Sequence, residues 1–306
     1  MTRRLRVKHQ LSVRRDTVME ALRVIDPEGV SIRKRHRLKR RKYSVPGPNF
    51  LWHIDGWDKL KPYGFCVHGC IDGFSRRLLW LEVRSTNKNP TVVVQFFLDT
   101  VSQLGGVPRM LRMDKGTENG LIADMQTLLR LLNGGAVDET CVIQGKSSAN
   151  QRIEAYWSQL KKGGGGWWRD FFRDLRDSGA FLDHDPLHIE CIRFCFMPLL
   201  RTELHSVAEM WNVKDIHVPK KSELRGGKPD VMFFMPEAYA TRSHILKVPA
   251  EDIEICKEMY GEQAQDCSAE FVELVNLMFP DLQVPNNTNE ALAQFIRITN
   301  TLLYVE

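Results

Sequence analysis

Three carboxylates in this chain occupy positions where an acidic side chain is unusual. Asp55 and Asp114 each end a short apolar stretch that predicts a β-strand, and Glu154 lies on the polar side of an amphipathic helix. A fold that joins these elements can bring together three hard oxygen ligands, which suit Mg²⁺ or Mn²⁺. A pair of such ions can hold the attacking and leaving oxygens of a phosphodiester during in-line displacement. The three residues therefore indicate a metal site for phosphoryl chemistry.

The spacing of the carboxylates and the motifs around them resemble a known family. The first two are separated by 58 residues and the last two by 39. The motifs are GPNFLWHIDG at 47–56, DGFSR at 72–76, GTEN at 116–119 and NQRIE at 150–154. In this order they resemble the Asp-Asp-Glu core of retroviral integrases and transposases. The residues of the motifs resemble still more closely the transposon-derived integrase-core proteins of animal genomes. The resemblance spans residues 44–212.

The resemblance implies a fold, a chemistry and a partner. The expected fold is α/β, with a ribonuclease H-like mixed five-stranded sheet flanked by helices, in which the first and fourth strands are neighbours and Asp55 lies beside Asp114. Asp55, Asp114 and Glu154 are then the catalytic residues and the ligands of two Mg²⁺ or Mn²⁺ ions. The partner is DNA, and an active form is expected to be a homo-oligomer.

Three functions remain open on these grounds. The first is a polynucleotidyl transferase that cuts and joins DNA, which the presence of all three carboxylates favours. The second is a domesticated descendant that binds DNA or a protein partner without catalysis. The third is a ribonuclease H-type or structure-specific nuclease, because a fold alone does not fix a substrate.

The predicted elements follow the ribonuclease H-like order. Strands are predicted at 51–56, 65–71, 77–84, 109–113 and 140–144, with a turn at Asp72 and Gly73. Helices are predicted from the cap at Asn89 to Gly105, at 119–132, and at 148–161 around Glu154. Four glycines at 163–166 predict the end of that last helix. Residues 189–211 predict a buried helix that is bent or interrupted at Pro198.

Positive charge is concentrated near the start of the chain. The net charge is +5, yet residues 1–45 contain 15 Lys and Arg against 4 Asp and Glu. Residues 13–24 predict a helix and 26–29 a turn, the end of a helix-turn-helix region in the resembling proteins. We therefore divide the chain into a basic arm at 1–45, a remnant of a DNA-binding region, a catalytic core at 46–212, and a partly helical extension of unknown role at 213–306.

Two groups of polar residues are candidates for nucleic-acid contacts. The basic run can bind phosphates, act as a nuclear import signal or both, unless it is a solvated helix face; it comprises Arg33, Lys34, Arg35, Arg37, Lys39, Arg40, Arg41 and Lys42. The second group lies near the carboxylates and could equally serve in helix capping; it comprises Lys115, Asn119, Lys146, Asn150, Gln151 and Lys161.

The cysteines predict a reducing compartment. There are seven, an odd number without the spacing of a disulfide framework. No signal-like start and no run of ~18 apolar residues is present, so we expect an intracellular, nuclear protein without a membrane span. Two clusters, Cys66/His68/Cys70 and His184/His188/Cys191/Cys195, suggest zinc at first sight. We expect no zinc at either cluster. The four residues of the second cluster lie along one helix and cannot surround a tetrahedral ion.

Overall fold

The structure is a computed structural model that describes residues 2–35, 43–116, 119–135, 140–218, 226–260 and 265–303. The chain divides into two compact units, Met1–Tyr43 and Ser44–Glu306. Among the described residues, none of the helices combines the length and the apolar character that a membrane crossing requires.

The first unit contains three helices, α1 (Thr2–His9), α2 (Arg15–Ile25) and α3 (Pro27–Arg35). The helix predicted at 13–24 corresponds to α2, but the turn predicted at 26–29 is wrong. Asp26 accepts a hydrogen bond from the backbone N–H of Gly29 at 2.8 Å, and Pro27 is the first residue of α3. An acidic cap followed by proline is a helix start, so the segment opens α3 instead of reversing the chain.

The second unit is built on a five-stranded mixed sheet. In chain order the strands of this unit are β1 (Leu51–Trp57), β2 (Cys66–Asp72), β3 (Leu78–Arg84), β4 (Gly106–Val107), β5 (Met110–Asp114), β6 (Val142–Gly145) and β7 (Leu246–Lys247). The large sheet has the order β3-β2-β1-β5-β6, and β4 pairs with β7. β1 is antiparallel to β2 and parallel to β5. The mixed sheet and the adjacency of the Asp55 and Asp114 strands are therefore confirmed.

Nine helices of this unit fall within the described residues. They are α4 (Pro90–Leu104), α5 (Gly120–Leu132), α6 (Gln151–Lys162), α7 (Gly164–Asp177), α8 (Pro186–Val213), α9 (Pro229–Phe234), α10 (Ala250–Tyr260), α11 (Ala269–Met278) and α12 (Thr288–Leu303). The predicted caps of α4 are present: Asn89 accepts from the N–H of Thr91, and Gly105 has φ 64°. Of the two outcomes predicted at Pro198, an interruption does not occur, since α8 continues through it as one helix.

One hydrophobic core lies on each face of the large sheet. α4 and α5 cover one face, where Trp52 and Ile54 of β1 are fully buried. α6 and α8 cover the other face, and α11 and α12 contribute Phe271 and Phe295 to that second core. Side chains alternate between the two faces of a strand, so His53 and Asp55 point toward α6. The residues beyond 213 thus complete the packing around the sheet.

The four glycines occupy the junction between α6 and α7. α6 ends at Lys162 as predicted, and α7 begins at Gly164. A Cβ atom on Gly165 would lie 3.0 Å from both Trp57 and Leu160, and one on Gly166 would overlap the carbonyl oxygen of Lys161. The glycines therefore allow two consecutive helices to turn closely against each other and against β1.

Candidate active site

Asp55 is a buried carboxylate held by an indole. Its side chain projects from β1 toward α6, and the residue is 8% exposed. Trp157 of α6 donates a hydrogen bond from Nε1 to Asp55 Oδ2 at 3.0 Å. Gly69 of β2 pairs opposite Asp55, and a Cβ atom there would lie 2.8 Å from the Trp157 ring. The missing side chain at Gly69 therefore makes room for the indole that positions Asp55.

Asp114 ends β5 and accepts two hydrogen bonds with the same oxygen. The N–H of Gly116 and the Nδ2 of Asn119 donate to Asp114 Oδ1 at 3.1 Å and 2.9 Å. The first bond is an Asx turn, so Asp114 caps the turn after its strand. Among the described residues, Oδ2 has no hydrogen-bond partner, and one oxygen of Asp114 is left over for a ligand.

Glu154 lies in the first turn of α6, half-buried, and its carboxylate has no ion pair or side-chain hydrogen bond among the described residues. The start of α6 is fixed to β1 by Asn150. Its Nδ2 donates to the carbonyl of Ile54 at 2.7 Å, and its Oδ1 lies 2.6 Å from Nδ1 of His53. Burial lowers the pKa of His53 to about 3, so the ring is neutral and donates from Nδ1 to Asn150.

The three carboxylates influence one another electrostatically. The pKa of Asp55 is raised to about 7, chiefly by burial; the hydrogen bond from Trp157 opposes this shift, and the negative charges of Glu154 and Asp114 add to it. Yet no group of three or more His, Cys, Asp or Glu side chains in the described part of the chain is close enough to hold a metal ion. Like charges repel, and without a cation this repulsion opposes a close approach of the carboxylates.

Two of the predicted nucleic-acid contacts require correction. Asn119 and Asn150 are each 1% exposed, and their amide groups bond to Asp114, His53 and the β1 backbone. Buried amides with protein partners do not contact nucleic acid. Lys115, Lys146, Gln151 and Lys161 are exposed, as a contact with DNA requires.

The basic run is described only in part. Arg33 lies on α3 and pairs with Asp26 at 3.0 Å, with both side chains exposed. The backbones of Lys34 and Arg35 also belong to α3. Arg37, Lys39, Arg40, Arg41 and Lys42 lie outside the described residues.

Other polar residues singled out in the sequence have structural roles. Asp72 is fully buried and accepts hydrogen bonds from the backbones of Asn49, Phe74 and Ser75, in agreement with its prediction as a turn residue. Cys191 and Cys195 are buried in the α8 core, where burial raises the pKa of both thiols, whereas the His184 side chain is 80% exposed.

Sequence reasoning missed the role of Trp157. Its spacing from Ile153 and Leu160 places it on the packed face of the helix, which predicts a core residue. The indole N–H is the signal that could have suggested more, because a buried tryptophan N–H needs an acceptor. In the structure this acceptor is the carboxylate of Asp55.

Residues 42–224, more than half of the chain, match the integrase core domain family. Among solved structures the chain is similar to the HTLV-2 integrase catalytic core domain in complex with magnesium, in its trimeric form. The identity is 14% and the TM-score 0.38, over 62% of this chain and 99% of that chain. No curated protein matches the sequence. The family match covers all three carboxylates and the large sheet, and on this basis the chain belongs to the integrase core domain family.

Proposed function

We propose that this protein is a polynucleotidyl transferase that cuts and joins DNA phosphodiesters with Asp55, Asp114 and Glu154 as its catalytic carboxylates. One observation carries the proposal. The charges of Glu154 and Asp114 both raise the pKa of Asp55, although the three residues come from a helix and two different strands. Bringing like charges near one another is unfavourable for folding alone, and a carboxylate whose pKa is shifted in this way is typical of a functional site.

The donor set suits Mg²⁺ or Mn²⁺. All three side chains offer hard oxygen atoms, and within the described residues both Asp114 Oδ2 and the Glu154 carboxylate lack a protein partner. Divalent ions held by these residues would supply an activated hydroxyl and would stabilise the charge on the leaving oxygen.

The surrounding residues prepare the site for this chemistry. Trp157 holds one oxygen of Asp55 and Asn119 holds one oxygen of Asp114, so the two carboxylates have fixed orientations before a ligand arrives. The pKa of Asp55 is raised to about 7, chiefly by burial, and a bound cation would favour its ionised form. Lys115 and Lys161 are exposed and available for phosphates.

The basic arm extends the proposal to the whole chain. Its surplus of Lys and Arg supplies affinity for DNA that is independent of sequence, and the run at 33–42 acts as a nuclear import signal. We expect the active form to be a homo-oligomer in which each copy of the chain provides one set of the three carboxylates.

A second candidate is a family member that binds DNA or a protein without catalysis. In the described residues, no three His, Cys, Asp or Glu side chains are already close enough together to hold a metal ion, which favours this candidate. The two functions differ in whether a divalent ion changes the behaviour of the protein.

Nicking of supercoiled plasmid by purified protein with Mg²⁺ or Mn²⁺ tests the proposal. Asp55→Asn, Asp114→Asn and Glu154→Gln should each abolish nicking. Without metal, each variant should be as stable as the wild type or slightly more so, because each removes part of the repulsion.

Asp124→Asn is the matched control, since Asp124 is exposed on α5. Asp72 cannot serve, because its buried carboxylate accepts several hydrogen bonds whose loss would destabilise the fold. Absence of nicking by the wild type with either ion, or nicking that survives all three substitutions, would favour the binding protein.

A further inference from the structure

His68 is a buried histidine on the opposite face of the sheet from the carboxylates. It lies on β2 opposite Gly56, is 2% exposed and packs against Trp80 and Phe96. Trp80 donates a hydrogen bond from Nε1 to His68 Nδ1 at 3.1 Å. Burial lowers the pKa of His68 to about 4, so the ring is neutral. A neutral imidazole that accepts at Nδ1 must carry its proton on Nε2.

The side chain of Asn119 is the candidate acceptor for this proton. His68 Nε2 and Asn119 Oδ1 are both buried, and neither has a hydrogen-bond partner among the described residues. Interaction with the Asn119 side chain raises the pKa of His68 against the larger effect of burial, which places the two groups against each other. A buried donor and a buried acceptor in contact are expected to satisfy one another.

The bond to His68 determines which way the Asn119 amide faces. With Oδ1 turned to His68, Nδ2 faces Asp114 and donates to its Oδ1 at 2.9 Å. The flipped amide would place its oxygen against the carboxylate oxygen and its N–H₂ group against the N–H of His68. Both contacts would be repulsive, so the protonated Nε2 selects the orientation that supports Asp114.

We propose that His68 is a positioning residue that acts through Asn119 to hold Asp114 oriented for a divalent ion. The hydrogen bonds run from Trp80 to His68, then to Asn119 and to Asp114, and they connect the α4 face of the sheet with the candidate site. Outer partners that orient a metal ligand affect metal affinity or activity by about 10- to 100-fold when they are removed. The functional part of this inference rests on the proposed function, whereas the hydrogen bonds do not.

The first experiment determines the tautomer of His68 without any catalytic assay. Nitrogen-15 spectra of the metal-free protein labelled at histidine, assigned by comparison with His68→Gln, distinguish Nε2–H from Nδ1–H rings. We expect the Nε2–H form in the wild type. An Nδ1–H ring would overturn the proposal, because it could not donate to Asn119.

The second experiment measures Mn²⁺ affinity in three variants. His68→Phe removes the donor and should weaken binding about 10-fold. His68→Gln can still accept from Trp80 and donate to Asn119, and it should restore most of the affinity. Cys70→Ala is the control, since Cys70 is fully buried on the same face of β2 and is not part of the hydrogen-bond series. It should lose stability but bind Mn²⁺ like the wild type.

The outcomes separate this inference from the proposed function. If the wild type binds Mn²⁺ and His68→Phe binds it equally well, the positioning role is wrong while the function stands. If Cys70→Ala loses affinity as much as His68→Phe, the effect is one of general stability and the role is also wrong. If the wild type binds no Mn²⁺, the function and this role fail together, and the tautomer still decides whether the hydrogen bonds exist.

Discussion

At the scale of single residues, each aspartate of the site is held by a partner from another element. Trp157 reaches Asp55 from α6, and Asn119 reaches Asp114 from the loop before α5. Each partner occupies one carboxylate oxygen. An aspartate at a strand end is commonly a turn cap, and Asp114 is one. Capping by Oδ1 leaves the second oxygen of Asp114 without a hydrogen-bond partner among the described residues, so the proposed site role does not conflict with the cap.

The raised pKa of Asp55 predicts an unusual pH dependence of stability. An aspartate ionises near 3.8 in the unfolded chain and at about 7 in the folded protein. Between these values the folded state holds a proton that the unfolded state has lost, so the free energy of unfolding should fall as pH rises from about 4 to about 7. The effect is at most ~4 kcal/mol, at 1.36 kcal/mol per pKa unit.

Urea unfolding of metal-free protein at several pH values between 4.5 and 7.5 measures this slope. Asp55→Asn should flatten it relative to the wild type. Glu154→Gln should reduce it in part, because Glu154 contributes to the shift. Equal slopes in the wild type and Asp55→Asn would show that Asp55 is ionised in the folded state throughout this range.

At the scale of elements, local sequence signals were sufficient to predict individual helices and strands. Asn89 and Gly105 predicted both ends of α4, and the short apolar stretch that ends at Asp55 predicted β1. The turn predicted at Asp26 and Pro27 was wrong, because the same residue types favour both turns and helix starts. In the structure they precede and begin α3.

Contacts between distant segments could not be predicted in this way. The bonds from Asn150 to Ile54 and from Trp157 to Asp55 join positions about a hundred residues apart, and no local periodicity encodes them. Pro198 was expected to bend or break its helix. α8 remains one helix because its flanking turns are buried in the core at Phe196 and Leu200, and packing outweighs the loss of one backbone hydrogen bond.

The glycine junction between α6 and α7 provides a prediction at this scale. Gly166→Ala would force a methyl group onto the Lys161 carbonyl, and Gly165→Ala would press one against Trp57. Each should lower the free energy of unfolding by ~1–3 kcal/mol, the usual effect of overpacking. Gly163→Ala is the control in the same run, because its Cβ would have only ordinary contacts at 3.7 Å. Thermal or urea unfolding compares the three, and similar losses at all three positions would argue against the packing explanation.

At the scale of the whole molecule, the segment after 213 is part of the second unit. β7 pairs with β4, α10 contributes Ile253 to the core beneath α4, and α12 packs on α8 with Phe295 fully buried. The family match ends at 224, before these elements. Residues outside the matched region therefore contribute to the core that supports the carboxylates.

A protein shortened to residues 44–224 should consequently fold poorly. The truncation exposes the surface of α8 that α11 and α12 cover, and it removes Phe271, Val275 and Phe295 from the core. Burial of a large apolar side chain contributes roughly 1.5–3 kcal/mol. The loss of three such side chains therefore removes a substantial part of a typical free energy of unfolding. Solubility and circular dichroism of 44–224 and 44–303 make the comparison. A cooperative, soluble 44–224 would show that the later helices are dispensable.

The first unit carries a prediction about DNA binding that is independent of catalysis. Residues 1–45 hold 15 basic against 4 acidic residues, while the rest of the chain has a net negative charge. If about six of these basic side chains meet phosphates, the logarithm of affinity should fall with the logarithm of salt concentration at a slope of about −5. Deletion of residues 1–43 ends at the boundary between the two compact units. It should flatten the slope and weaken binding at low salt, with little change in the melting temperature of the remaining unit.

Fluorescence anisotropy with a labelled duplex in EDTA measures the slope. Asp55→Asn in the full chain is the control, since it should leave the slope unchanged. A slope that survives the deletion would place the DNA contacts in the second unit, where Lys115, Lys146 and Lys161 would be the next residues to substitute.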